Sequence, residues 1–307
     1  MRLKLPPKDL WKLEDGITQS LLGTWLSCKQ KAHLSYQKGW TSSQVSNAIT
    51  FGSLFHEALE HYYKTGKYNI EKLLIKQKKE VESERIWTIS DEENKVLNEG
   101  YLKILIPAYI EHYKKIDAGK KWVLVEEEFK NKWNGLLFRG KYDRVCHFNN
   151  EAWIFDTKTK SRIDPEIQSK LEFDLQIMFY HLNYWLTFKK VPNGFVYDQI
   201  RRPALRKGSK ETMKRFMDRV KNDVDESYFQ RVRMPMNKEI LTHWVVNEFT
   251  PMIVEFKRWA LRASPTYKNP SACETRYGTC QFIRGCGTKD FNGLYKKKKV
   301  FSELEAI

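Results

Sequence analysis

The stretch Gly140–Lys160, GKYDRVCHFNNEAWIFDTKTK, decides how the rest of the chain is read. Two runs rich in β-branched and aromatic residues flank Asn149-Asn150, a dipeptide suited to a tight hairpin turn. If the turn is two residues long, cross-strand partners have numbers summing to 299, and Asp143 stands opposite Asp156. Directly opposed residues on one face have Cβ atoms about 5 Å apart. Asp156 and Lys158, two apart on one strand, share a face, so two carboxylates and an ammonium converge. A lone Asp-x-Lys in a lysine-rich chain is ordinarily a surface ion pair. The opposing acid changes that reading, because like charges facing each other on a sheet repel. A divalent, oxygen-seeking ion such as Mg²⁺ between them would offset the repulsion.

Outward from this hairpin, residues 1–117 read mostly as helix: SLLGTWLSCKQKAHLSYQKGW, then FGSLFHEALEHYYKTGK, then a long segment from Ile70 to Tyr113. Between 118 and 202 the pattern gives three strands, WVLVEEEFKNKW, GLLFRGKYDRVCHF and EAWIFDTKT. A helix in LEFDLQIMFYHLNYWLTFKK and one more strand, NGFVYDQI, follow. Residues 203–307 read as a basic stretch, further helix and a cysteine cluster. No repeat or linker divides the chain, so residues 1–307 are expected to form a single domain of α/β class: a central sheet flanked by helices, with large helical regions at both ends. Glu126-Glu127-Glu128 reads as an exposed strand edge and is not assigned to a metal.

Lys and Arg outnumber Asp and Glu by 54 to 38, a net charge of +16. That excess favours a polyanionic partner. With 10 Trp, 15 Tyr and 17 Phe available for stacking, single-stranded nucleic acid is the first candidate. No apolar run reaches membrane-spanning length, and MRLKLPPKDLWKLEDG lacks the apolar segment of a secretory leader, so a soluble, cytoplasmic protein is expected. Five cysteines are too few and too unevenly placed for a disulfide framework. Cys273, Cys280 and Cys286 fall close together, Cys28 lies near the other end, and metal or cluster ligation is the reading to test. Cys146, inside a strand, stands apart from this set.

The motifs GSLFHEALE, GKYDRV, FDTKT and QIMFY, in that order, resemble the PD-(D/E)XK nuclease superfamily, in particular its RecB-type exonuclease branch of AddB-like, CRISPR-adaptation and phage recombination nucleases. The resemblance implies the mixed-sheet core of that superfamily, in αβββαβ order. It implies a nuclease acting on DNA, either single-stranded or with free ends, in recombination, repair or phage DNA processing. Asp143, Asp156 and Lys158 take the catalytic positions, and His56, Asp143 and Asp156 would hold Mg²⁺ or Mn²⁺. Gln176 and Tyr180 would contact the nucleic acid near the cut. In iron–sulfur members of the branch one upstream cysteine joins three downstream ones around a [4Fe-4S] cluster. Cys28, Cys273, Cys280 and Cys286 have that arrangement, although six residues separate Cys273 from Cys280 where many relatives have two. Four thiolates suit structural zinc equally. The basic run RRPALRKGSK directly follows the last expected strand, and its Arg201, Arg202, Arg206 and Lys207 are candidate phosphate contacts. An endonuclease of the same superfamily and a non-catalytic DNA-binding module are the competing readings.

Overall fold

Asn149 and Asn150 adopt left-handed φ angles of 50° and 65°, as a two-residue turn of the mirror-image type requires. The turn joins β2 (Leu136–Phe148) to β3 (Glu151–Lys160), which pair from Phe148 opposite Glu151 to Arg144 opposite Phe155, in the expected register. Asn134 and Gly135, φ 50° and 74°, make the corresponding turn between β1 (Lys121–Trp133) and β2. The computed structural model describes residues 9–42, 47–84, 87–275, 278–288, 291, 295–297, 300–301 and 304.

From β3 the chain passes through α5 (Ile167–Leu171) and α6 (Leu175–Phe188) to β4 (Gly194–Arg201), which lies parallel to β3 with Asp156 beside Tyr197 and Lys158 beside Gln199. α7 (Met213–Asp223) leads to β5 (Phe229–Pro235), antiparallel to β4, completing the order β1-β2-β3-β4-β5. The mixed sheet flanked by helices is the expected class. The fifth strand corrects the sequence reading, which had only helix and the cysteine cluster beyond residue 203. Its register turns Arg231 inward, to 9% side-chain exposure, so the strand lacks the apolar alternation that would reveal it.

Before the sheet come α1 (Gln19–Ser27), α2 (Asn47–Thr65), α3 (Ile70–Glu84) and α4 (Ile89–Lys114). The segment from Ile70 to Tyr113 is therefore two helices. Thr88 starts the second by a capping box with Asp91, each side chain accepting the other's amide. Asp174 likewise interrupts the helix expected from Leu171 onward, accepting the amides of Gln176 and Ile177 at 2.7 and 3.2 Å and opening α6 afresh. After β5, α8 (Lys238–Trp244) and α9 (Thr250–Ala260) run toward the cysteine region and α10 (Ile283–Thr288).

Two cores result. α6 lays Phe179 against Phe129 and Phe138 of the sheet, with Phe249, Phe256 and Trp259 closing that layer. The second core joins α2, α3, α4 and α7 through Phe51, Phe55, Leu74, Leu102, Leu105 and Phe216. Between this helical layer and the sheet lies a buried polar network. Arg144, 2% exposed, donates to Asp198 at 2.9 Å, to Thr157 Oγ1 at 2.6 Å and to Tyr109 at 3.1 Å. Arg231 adds bonds to Asp117 at 2.6 and 3.1 Å and to Tyr109 at 2.8 Å.

The β1–β2 pair shifts register between Trp122 and Leu124, and its alternation fails again next to the cleft. Phe138 and Tyr142 face the α6 core, yet so does Val145, three positions after Tyr142; on β1, Phe129 and Leu124 repeat the odd spacing. The switch falls where Glu126, with φ 51°, stands between the pairs Val125–Arg144 and Glu127–Tyr142 and so across from Asp143. A left-handed backbone at a glutamate costs on the order of 1–2 kcal/mol. Among the described residues, no helix is long and apolar enough to cross a membrane.

The Asn149-Asn150 turn is the local determinant of the register. Asn150→Val is expected to destabilise by about 1–2 kcal/mol, since a β-branched residue resists positive φ, while Asn150→Gly is neutral or stabilising. Urea midpoints at constant m-value would measure both.

Candidate active site

At the switch point the β2–β3 ladder ends, and the Asp143 carboxylate takes over from the backbone, accepting the amide of Thr157 at 2.8 Å. The sequence motif thereby becomes a site: Asp143 is fixed between the two strands, with Asp156 and Lys158 on either side of the residue it holds. Lys158 Nζ lies 2.8 Å from one oxygen of Asp156 and donates to the other at 2.9 Å. Asp156 is 1% exposed and also accepts from Gln176 Nε2 at 2.8 Å. Gln176 in turn donates to the Tyr180 hydroxyl at 3.1 Å. The two residues of QIMFY are neighbours on one face of α6, and in this structure they orient Asp156; Tyr180 itself is 6% exposed.

α2 supplies the histidine. Its Gly52 lies so near β3 that a Cβ there would come within 3.0 Å of Thr159 Oγ1. One turn later His56 comes over Asp143, Nδ1 to carboxylate 3.4 Å. All these residues line one cleft of about 1060 Å³.

Glu126 belongs to the same cleft and was missed in the sequence, where its triplet reads as an edge. His56, Glu126 and Asp143 each place a ligand atom within 4.8 Å of the other two. Asp156 lies beside that triad; its Oδ1 accepts from both Lys158 and Gln176, while its buried Oδ2, 2.8 Å from the Lys158 ammonium, has no hydrogen-bond donor among the described residues. One imidazole and two carboxylates form an oxygen-rich donor set that fits Mg²⁺ or Mn²⁺. The electrostatics agree. Burial, reinforced by the charge of Asp143, pushes the Glu126 carboxyl up to about 7. Burial and the same neighbour push Asp156 up to about 6, against the pull of Lys158. The acids are crowded beyond what the side chains present can neutralise.

The basic run lies elsewhere. Arg201 ends β4 beside Lys160 and stacks over Tyr228 at 4.6 Å, Arg202 bonds by its amide to the Lys160 carbonyl, and Arg206 and Lys207 are exposed. None of the four lines the cleft. The cysteines gather at the opposite end of the sequence pattern. Cys28, closing α1, accepts the Asn269 amide at 3.4 Å, Cys273 Sγ lies 3.8 Å from the Asn269 carbonyl, and the Cys280 amide bonds to the Cys273 carbonyl. Burial and then, after the opposing effect of Lys268, the neighbouring Cys280, Cys28 and Cys273 raise the Cys286 thiol. Cys146 is fully buried against Phe155 and Val196, apart from this group.

The profile of the PD-(D/E)XK nuclease superfamily matches residues 17–287, and the chain belongs to that superfamily. Among solved structures, its fold is similar to that of a candidate exonuclease from Eubacterium rectale, at 13% identity and a TM-score of 0.51, covering 99% of both chains. A phage-related exonuclease from Haemophilus somnus 129PT is 11% identical with a TM-score of 0.37, over 83% of this chain and 96% of that one. A search of curated proteins finds no match.

The raised carboxyls give a signed pH prediction. Each is protonated in the metal-free fold at pH values where the unfolded chain has released its proton, so their contribution is favourable below about pH 4 and lost as pH rises through about 6–7. A divalent ion would relieve that loss. The rise in Tm on adding Mn²⁺ should therefore be larger at pH 8 than at pH 5, the stabilisation being about 2.7 kcal/mol where free ion is at a hundredfold excess over Kd. Calorimetry in EDTA and in Mn²⁺ at both pH values would check it.

Proposed function

We propose that the protein is a metal-dependent deoxyribonuclease of the RecB-type branch, acting as an exonuclease on single-stranded DNA or DNA ends in recombination, repair or phage DNA processing. The observation that carries this is the meeting, in one cleft, of the Asp156–Lys158 pair with the His56–Glu126–Asp143 triad. Those three residues would hold Mg²⁺ or Mn²⁺, with Asp156 beside them. Bound there, the ion would acidify a water and neutralise charge on the phosphate oxygens. Lys158, its side chain 36% exposed and its ammonium steadied by Asp156, is placed to donate to a phosphate oxygen or to the attacking water. Gln176 and Tyr180 keep Asp156 in the rotamer that holds the lysine. The exposed Arg206 and Lys207, with Arg201 and Arg202, would hold phosphates of the strand beyond the cleft. A protein of net charge +16 has long-range attraction for DNA in any case.

The four cysteines support a second metal centre that ties α1 to the C-terminal region. Four thiolates suit a [4Fe-4S] cluster or structural zinc; the joining of the upstream Cys28 with three downstream cysteines is what favours the cluster.

End-labelled single-stranded, double-stranded and circular DNA, incubated with Mg²⁺, Mn²⁺ or EDTA, tests the main reading. Release of mononucleotides or short oligonucleotides from ends, with circles spared, is expected; cutting of circles would make it an endonuclease, and binding without cleavage in any metal a DNA-binding module. Asp143→Asn and Asp156→Asn should abolish cleavage while sparing DNA binding, and Lys158→Ala should cost about 10²–10³ in turnover. For the cysteines, protein purified without oxygen should be brown, with iron and sulfide in nearly equal amounts. Cys28→Ser or Cys280→Ser should remove the colour and Cys146→Ser should not; colourless protein with stoichiometric zinc would reject the cluster.

A further inference from the structure

The cleft contains an ammonium that the proposed reaction does not use. Lys141 lies on β2 two residues before Asp143, and its Nζ is 2.5 Å from a carboxylate oxygen of Glu126. The two side chains are 33% and 10% exposed, so the pair is largely withdrawn from water. Glu60, one turn beyond His56 on α2, lines the same cleft, and its charge acts on both Lys141 and Glu126. Among the described residues, Lys141 is the cation paired with Glu126, while Lys158 is committed to Asp156.

Phosphodiesterases that use two metal ions hold them about 3.5–4 Å apart, bridged by shared carboxylates. Here Glu126 is the carboxylate common to the His56–Glu126–Asp143 triad and the Lys141 ion pair. On one side lies the space bounded by His56, Glu126 and Asp143. The Glu126 carboxylate is also held by a cation attached to the backbone, the Lys141 ammonium, on which the charges of Glu60 and Asp143 act as well. The left-handed φ of Glu126 is what turns this carboxylate in among those neighbours. An ammonium carries half the charge of a divalent ion, but it needs no free ligand, and it cannot leave when metal is scarce.

The geometry points to Lys141 as a built-in cation occupying the place of a second metal ion, so that the site takes one divalent ion. This rests on the reading of His56, Glu126 and Asp143 as metal ligands. Glu60 keeps its ion pair with Lys64 at 2.7 Å; removing the ammonium leaves Glu126 without its own counter-charge, facing the charges of Asp143 and Glu60, which is the condition under which a second divalent ion is held.

The test counts ions rather than turnover. Metal-free protein is titrated with Mn²⁺ at neutral pH, with free Mn²⁺ followed by electron paramagnetic resonance and the fold checked by circular dichroism. Wild type and Lys141→Arg, which keeps the charge, should each bind one Mn²⁺. Lys141→Met should bind two; Lys141→Gln is carried in parallel so that a folded neutral variant is in hand. Two ions in wild type, or one in a folded neutral variant, would overturn the inference. Wild type that binds no Mn²⁺ would instead overturn the metal-site reading beneath it.

Discussion

The fold depends on a buried guanidinium. Arg144 reaches from β2 to Thr157 on β3, to Asp198 on β4 and to Tyr109 on α4, so one side chain ties three strands to the helical layer. Arg231 and Asp117 extend the network to β5 and the end of α4, giving two arginines and two aspartates in the interior. Taking such groups out of water costs several kcal/mol per ion, and a well-packed apolar core of the same volume would be as stable or more so. What the network supplies is position. An arginine whose donors are committed to particular acceptors on two neighbouring strands and a helix cannot tolerate a slip of one residue, whereas an apolar side chain could repack.

That fixed register is what the active site stands on. Thr157 is the hinge between the two halves: its hydroxyl accepts from Arg144 on the buried side, and its amide donates to Asp143 on the cleft side. Asp156 and Lys158 flank it and inherit its position. The site itself is built against the grain of the sheet. Glu126 has a strained backbone, the ladder is open at Asp143, and two carboxyls are held where burial and like charge favour their protonated forms. Each of these costs stability, and the rigid layer behind Thr157 is what allows them to persist. The same crowding of negative charge is a ready-made attraction for a divalent cation.

Much of this was legible in the sequence because it is local. The Asn149-Asn150 turn fixed the β2–β3 register, which the structure reproduces residue for residue down to Arg144 and Phe155. Asp143, Asp156, Lys158, His56, Gln176 and Tyr180 could be picked out because short motifs carried them, and all six line one cleft. The β1–β2 turn is local in the same way, Asn134 and Gly135 both taking positive φ.

What tertiary structure alone decided are the features in which a polar residue is satisfied by a partner distant in sequence. β5 went unseen because Arg231 looks like a surface residue until Asp117, more than a hundred positions earlier, is placed beside it. Glu126 looked like one of three exposed acids, since alternation along a regular strand is all that a sequence offers; the left-handed turn that brings it in against Asp143 and Lys141 follows from the meeting of both strands at a shared irregularity. Sequence therefore determined the first four strands, the turn geometry and the motif residues, each set by contacts within a few positions. The ligand set, the strained corner and the buried network required the assembled fold, because their energies come from burial and from charges that only long-range packing brings together.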